Sequence, residues 1–117
     1  MQRILSNFLV ILLLFIPVIL GCSQRININN SDKLEYASKI TSLNLYDKAI
    51  KYYKEILKSK NIDNLLKAKI YNNLAVLYEM KGKNIKAKQF YRKALKLNIQ
   101  DINEDILNNY KIFLKTI

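Results

Sequence analysis

The chain has 117 residues with 20 Lys and Arg against 9 Asp and Glu, so its formal net charge is +11 at pH 7. Histidine is absent and cysteine occurs once, which excludes a Ser–His or Cys–His catalytic pair and an intrachain disulfide. Two glycines and one proline favour helices over a fold with many tight turns. The adjacent acids Glu104 and Asp105 suit the first turn of a helix better than acid–base catalysis. We therefore predict an all-α protein that is not an enzyme and holds neither a cofactor nor a metal.

The first 21 residues have the layout of an export signal. A basic start, Met1 to Arg3, precedes an apolar run from Phe8 to Leu20. These thirteen residues are too few to cross a hydrocarbon core of about 30 Å as a helix. The layout predicts a secretory signal peptide and not a membrane-spanning helix.

The one cysteine of the chain, Cys22, stands directly after Gly21. The segment Ile19-Leu20-Gly21-Cys22 resembles the lipobox of bacterial lipoproteins, in which the cysteine sulfur receives a diacylglycerol and becomes the first residue after cleavage. The resemblance implies a signal peptide over residues 1–21, lipidation of Cys22 and a protein held on a membrane of the cell envelope by acyl chains such as palmitate. Ser23, which is not acidic, favours the outer membrane. The alternative is an unmodified thiol in an uncleaved anchor.

Residues 22–31 are predicted to form the lipidated cysteine and a polar tether, and residues 32–117 one helical domain. Ser31 and Asp32 are predicted to cap its first helix. Apolar residues then recur at helical spacing in five segments. They are Leu34, Ala37 and Ile40; Ala49, Ile50, Tyr53, Ile56 and Leu57; Leu66, Ile70, Leu74 and Leu77; Ala87, Phe90, Tyr91, Ala94 and Leu95; and Ile106, Tyr110, Phe113 and Leu114.

Turn-forming residues stand in the breaks between these segments. Asn44 ends the first helix, and Asp63 is a predicted cap for the third. Gly82 follows Lys81 at the end of the third helix, a position where glycine takes a left-handed conformation. After residues 98–101 a last helix is predicted over about residues 102–116, with Asn109 and its polar neighbours towards water.

The second and fourth helices are copies of each other. The aligned pairs, all 38 residues apart, are Ala49–Ala87, Tyr53–Tyr91, Ile56–Ala94 and Leu57–Leu95. Residues 68–101 resemble the tetratricopeptide repeat at Tyr71, Leu74, Ala75, Tyr78, Gly82, Ala87 and Tyr91. Residues 30–63 resemble it as well, with Asn44 at the glycine position. The resemblance implies an all-α, short solenoid of two helix-turn-helix repeats, about 30–63 and 68–101, followed by a C-terminal capping helix.

In that family the first helix of each repeat lines a concave face that binds other proteins. The resemblance therefore implies a membrane-anchored scaffold whose partner is another envelope protein or a peptide segment. The residues that fall on this face by alignment are Leu34, Ser38, Thr41, Lys69, Asn72, Asn73, Val76, Glu79 and Met80. Two repeats leave the first helix uncovered, which also favours self-association.

The basic excess supports an alternative interpretation, a surface that binds anionic lipid or another polyanion. Eight basic residues lie on the predicted outer helices: Lys48, Lys51, Lys54, Lys58, Lys86, Arg92, Lys93 and Lys96. A compositional bias that raises Lys, Asn and Ile together would give the same charge without any function. The export signal argues against nucleic acid as a partner.

Overall fold

The computed structural model describes residues 29–117 and contains five α-helices in that range. They are α1 (Asn30–Ser42), α2 (Tyr46–Leu57), α3 (Asn64–Met80), α4 (Asn84–Lys96) and α5 (Gln100–Leu114). No strand occurs among these residues, which confirms the all-α prediction. The predicted signal peptide, Cys22 and the tether up to residue 28 lie outside the described residues.

Consecutive helices reverse direction and pack as neighbours. Three residues join α1 to α2, α3 to α4 and α4 to α5, which is the usual length of an antiparallel helix connection. α1 packs on α2 and α3 on α4, while α4 also packs on α5 and α3 contacts both α2 and α5. The predicted short solenoid of two helix-turn-helix repeats and a closing helix is confirmed.

Side-chain caps fix where two of the helices begin. The Asn29 side chain accepts a hydrogen bond from the Asp32 backbone N–H at 2.9 Å, so α1 starts within the segment assigned to the tether. The predicted cap at Ser31 and Asp32 is wrong. Asn29 caps the helix in their place, since asparagine is as good a capping residue as serine or aspartate. The Asp63 carboxylate accepts from the Leu66 backbone N–H at 2.7 Å, which confirms the predicted cap of α3.

The last helix lies two residues earlier than predicted, at Gln100–Leu114 in place of 102–116. The reason is local, since the carbonyl of Ile99 accepts a hydrogen bond from the Asn103 backbone N–H at 2.8 Å and closes a first turn before residue 102. The helix therefore begins without a polar side-chain cap.

Left-handed residues end three of the helices, with φ of 59° at Asn44, 68° at Gly82 and 48° at Asn98. Asn44 and Gly82 are 38 residues apart and close equivalent turns. In both turns the N–H of the next residue donates to the carbonyl five residues before it, at 3.3 and 2.8 Å. Asparagine enters the left-handed region more readily than most residues, so Asn44 replaces glycine without loss of the turn. The predicted left-handed cap at Gly82 is confirmed.

Small and aromatic side chains together fill the core. Six alanines of the core are at most 1% exposed: Ala37, Ala49, Ala68, Ala75, Ala87 and Ala94. A methyl side chain lets two helix axes approach to about 8–10 Å. Tyr53 and Tyr91, which are equally buried, occupy the space beside these alanines.

The closing helix α5 covers the end of the solenoid with aromatic rings. Phe113 is buried and Tyr110 is half-buried. The Tyr91 ring on α4 lies 5.3 Å from the ring of Tyr110 and 5.5 Å from that of Phe113, measured between centroids. Offset aromatic contacts of this kind add to the hydrophobic burial of the rings, and they fix α5 against α4.

Candidate functional site

The first helices of the two repeats and α5 border an open groove. Part of it is a cleft of about 240 Å³. The residues lining the cleft are Leu34 on α1, Lys69, Asn72 and Asn73 on α3, and Ile102, Asp105 and Ile106 on α5. A wider recess of about 550 Å³ shares Leu34 and Asn73 with the cleft and adds Glu35 and Ser38 on α1. We refer to the cleft and the recess together as the groove.

Two asparagines on α3 stand in the groove, and each is tied to a neighbouring helix. Asn72 Oδ1 accepts from Asn109 Nδ2 on α5 at 3.3 Å, and Asn73 Nδ2 donates to Tyr53 Oη on α2 at 3.2 Å. Neither bond uses the amide N–H groups of Asn72 or the carbonyl oxygen of Asn73. An extended peptide presents backbone carbonyl and N–H groups, so the asparagine pair offers one donor and one acceptor that match it.

The prediction that Asn109 faces water is wrong. Asn109 is half-buried, because its turn of α5 lies against α3 and its amide bonds to Asn72. Side chains of α5 therefore take part in positioning the groove residues of α3.

Two buried tyrosines are hydrogen-bonded to α3, Tyr53 to Asn73 in the groove and Tyr91 to Glu79 farther along the helix. Burial raises the pKa of Tyr53, while hydrogen bonds with Asn73 and Thr41 lower it less. Tyr91 Oη donates to Glu79 Oε2 at 3.0 Å. Burial first, and then the Glu79 carboxylate, raise the pKa of Tyr91 far above its ordinary value. Both tyrosines therefore stay neutral across the physiological range, and the Glu79 carboxylate is bound to the core.

The structure places most of the predicted contact residues in two groups. Five of the nine line the groove, namely Leu34, Ser38, Lys69, Asn72 and Asn73. Three lie farther along α3, namely Val76, Glu79 and Met80. The ninth, Thr41, is half-buried on α1, where its hydroxyl donates to the Ala37 carbonyl. Val76 packs partly against the core, and Met80 is exposed at the end of the helix.

Three groove residues on α5 are not among the predicted contact residues: Ile102, Asp105 and Ile106. Their spacing forms one helical stripe, which Asn109 continues. That signal is present in the sequence. Because the sequence predicts α5 only as a capping helix, this stripe is assigned to the core and not to the groove. In the structure α5 is a third groove-lining helix, and it supplies a carboxylate, Asp105, to a cleft in which α3 supplies the ammonium group of Lys69.

A larger cavity of about 920 Å³ lies beside α5 alone, bordered by that helix and the turn before it. It is the open outer surface of the terminal helix and not a groove between helices. Within residues 29–117, no group of three or more His, Cys, Asp or Glu side chains is placed to hold a metal ion. None of the helices described in that range is long and apolar enough to cross a membrane.

Several lysines of the outer helices cover aromatic rings. The ammonium groups of Lys54 and Lys86 lie 5.6 and 5.4 Å from the centroid of the Tyr78 ring. Lys93 lies 5.0 Å from the centroid of the Phe90 ring. Such cation–π contacts contribute about 0.5–1 kcal/mol each at exposed sites. Part of the basic charge on α2 and α4 thus contacts the aromatic layer of the domain itself.

The stacked helix-turn-helix units, with first helices that share one groove, define the chain as an α-helical repeat protein. A family model described as tetratricopeptide repeat matches residues 37–100, which is more than half of the chain. The chain belongs to the tetratricopeptide repeat family. Repeats of this family generally mediate protein–protein interactions. Comparison with curated proteins gave no significant match, and comparison with solved structures gave none either.

Proposed function

We propose that the protein is a lipid-anchored scaffold of the cell envelope that binds another envelope protein, or a peptide segment of one, in the groove. The Asn72–Asn73 pair carries this proposal, because it is held in place by Asn109 and Tyr53 and still offers a donor and an acceptor to a ligand. Groups that are positioned before binding lose less conformational entropy when the ligand arrives.

The lining of the cleft defines the chemistry of the segment that would bind. Leu34, Ile102 and Ile106 give the cleft an apolar wall suited to an aliphatic side chain. Lys69 and Asp105 add one charge of each sign, which would favour a segment with a complementary pair and fix its direction. An extended segment with one apolar side chain between an acidic and a basic residue meets these conditions.

A charge reversal in the groove tests this function. Lys69→Glu should weaken binding about tenfold, the factor produced by a loss of about 1.4 kcal/mol. Lys51→Glu is the matched control, because Lys51 is an exposed lysine on the outer helix α2, away from the groove. Recovery of the partner from detergent-solubilised envelopes by each variant measures the effect. Equal recovery by the two variants would contradict binding in the groove.

Anchoring is proposed on the sequence around Cys22. Acyl chains contribute about 0.8 kcal/mol for each buried methylene, and two chains give stable anchoring. Cys22→Ala should abolish incorporation of a labelled fatty acid and leave an uncleaved precursor, whereas Ser23→Ala should do neither. A mature N-terminus other than Cys22 would exclude the proposal. The serine after the cysteine supports the outer membrane as the site of the anchor, which fractionation of the two membranes tests.

A further inference from the structure

Exposed apolar side chains gather at one edge of the solenoid. Because helix direction alternates, the α1–α2 turn, the α3–α4 turn and the end of α5 all lie at this edge. An ion pair joins Lys81 in the α3–α4 turn to Asp47 in the first turn of α2. The large apolar side chains on the edge, between 41 and 78% exposed, are Leu43, Leu45, Met80, Ile85, Leu114 and Ile117. We refer to this region as the turn edge.

The turns present these side chains in fixed positions. The left-handed residues Asn44 and Gly82, with the hydrogen bonds that close each turn, hold the chain between the helices. The hydrogen bond between Asn72 and Asn109 ties α5 to α3, so the C-terminal part of α5 is held beside that of α3.

The opposite edge of the same molecule has a different character. Apolar residues occur in its turns too, but Ile62, Leu97 and Ile99 are partly buried against the core. That edge also carries the exposed carboxylates of Asp63 and Asp101, which partly offset the exposed lysines there, Lys58, Lys60 and Lys96. Within the turns themselves, apolar residues are packed at one edge and exposed at the other. At the second position of the following helix, Leu65 is 36% exposed at this edge, whereas Ile85 is 78% exposed at the turn edge.

Basic residues surround the exposed apolar side chains of the turn edge. Five exposed lysines lie on its turns and helix ends: Lys39, Lys48, Lys83, Lys86 and Lys115. The carboxylate of Asp47 is also there, and it is bound by Lys81, which lowers the pKa of Asp47. The turn edge therefore combines apolar tips and positive charge.

We propose that the turn edge docks on an anionic lipid bilayer, with its apolar tips in the interface and its lysines at the headgroups. Large apolar side chains that gather exposed at one edge are typical of an interaction surface. A bilayer accepts apolar tips that stand on separate turns, and anionic headgroups attract the lysines between them. The chain from Cys22 to Asn29 can extend about 24 Å, slightly more than the length of α1, about 20 Å, so a lipid on Cys22 would permit this orientation.

Tryptophan fluorescence tests the orientation, because the chain contains no tryptophan. Ile85→Trp places a single reporter on the turn edge, where the side chain is 78% exposed, and Leu65→Trp places one at the equivalent helix position of the opposite edge, where the side chain is 36% exposed. Each position is the second residue of its helix and follows an asparagine. The full chain is reconstituted into vesicles of phosphatidylcholine and phosphatidylglycerol with brominated acyl chains. We expect quenching of the Ile85→Trp variant and little quenching of the Leu65→Trp variant.

Lysine substitutions test the electrostatic part. In the Ile85→Trp chain, replacing Lys83 and Lys115 by Gln should lower the equilibrium constant for docking on the bilayer roughly 25-fold, about fivefold for each lysine lost near an anionic surface. Replacing Lys58 and Lys60, at the opposite edge, should leave the quenching unchanged. Equal quenching at the two reporters, or none at either, would overturn the proposal and leave a protein surface as the partner of this edge. Equal quenching of the Ile85→Trp variant without phosphatidylglycerol would overturn the assignment to anionic lipid.

Discussion

Tyr91→Phe and Tyr53→Phe remove the same hydroxyl from equivalent positions of the two repeats. The partners differ, since Tyr91 donates to the Glu79 carboxylate at 3.0 Å and Tyr53 accepts from the neutral Asn73 amide at 3.2 Å. Both tyrosines are 1% exposed, so phenylalanine retains the ring contacts in both variants. The comparison therefore isolates the contribution of a charged partner from that of a neutral one.

The expected magnitudes follow from the type of hydrogen bond. A bond to a charged group contributes about 1.5–3 kcal/mol and a neutral one about 0.5–1.5 kcal/mol. We expect Tyr91→Phe to lower the free energy of unfolding by about 2 kcal/mol, and Tyr53→Phe to lower it by about 1 kcal/mol. In a domain of this size a loss of 1 kcal/mol shifts the melting temperature by about 4–8 °C, so the difference is measurable.

The pH dependence gives an independent readout of Tyr91. Its folded pKa is raised above the ordinary value of 10.0, so above pH 10 the unfolded chain releases the phenolic proton while the folded chain keeps it. The stabilisation is complete below pH 10 and is lost as the pH rises towards the folded pKa. Tyr91→Phe should therefore lose less stability than the wild type when the pH is raised above 10.

Thermal and urea unfolding of the full chain in detergent, followed by circular dichroism, measures both effects. The double variant Tyr91→Phe, Glu79→Gln should lose less than the sum of the two single variants, because both changes act on the same hydrogen bond: Tyr91→Phe removes its donor and Glu79→Gln removes the charge of its acceptor. Equal losses at positions 53 and 91, or additive losses in the double variant, would refute the reasoning.

Three further variants test the turns and the core by unfolding measurements. Gly82→Ala should lower the free energy of unfolding by about 1–2 kcal/mol, because φ is positive at this position and not because space is lacking. Gly82→Asn should lower it less, and equal losses for the two variants would contradict this explanation. Ala87→Leu should lower the free energy of unfolding by about 1–3 kcal/mol, because the larger side chain overpacks the contact between the helices. The exposed control Gln89→Leu should change it by less than about 0.5 kcal/mol. Similar losses for the two variants would argue against the close helix contact. Lys81 lowers the pKa of Asp47. The wild type should therefore be more stable than Asp47→Asn at neutral pH, and this difference in the free energy of unfolding should vanish as the pH falls through the folded pKa of Asp47. A difference that persists in strong acid would exclude the ion pair as its cause.

The helices, their core faces and the Gly82 turn could be predicted from the sequence, because periodic apolar residues and left-handed caps are local signals. The first cap could not be, since Asn29, Ser31 and Asp32 are all good capping residues within one turn. Choosing among them depends on which backbone N–H groups the rest of the helix leaves unpaired.

The part of the groove that sequence reasoning missed depends on tertiary packing. The stripe of Ile102, Asp105 and Ile106 is visible in the sequence, but its position beside α3 follows from how α4 joins the two helices. The burial of apolar residues near the turns also depends on tertiary packing, because Ile62 packs against the core while Ile85 is exposed. Sequence pattern alone does not separate these two cases.

Site-specific photo-crosslinking in cells tests the binding groove most directly. A photoreactive residue is placed at Ser38, which lines the recess, or at Lys51, which is exposed on the outer face of α2. If the groove binds a partner, the Ser38 position should give one discrete adduct, the Lys51 position should not, and Lys69→Glu should remove the adduct. An adduct from Lys51 alone, or the same adduct from both positions, would contradict binding in the groove.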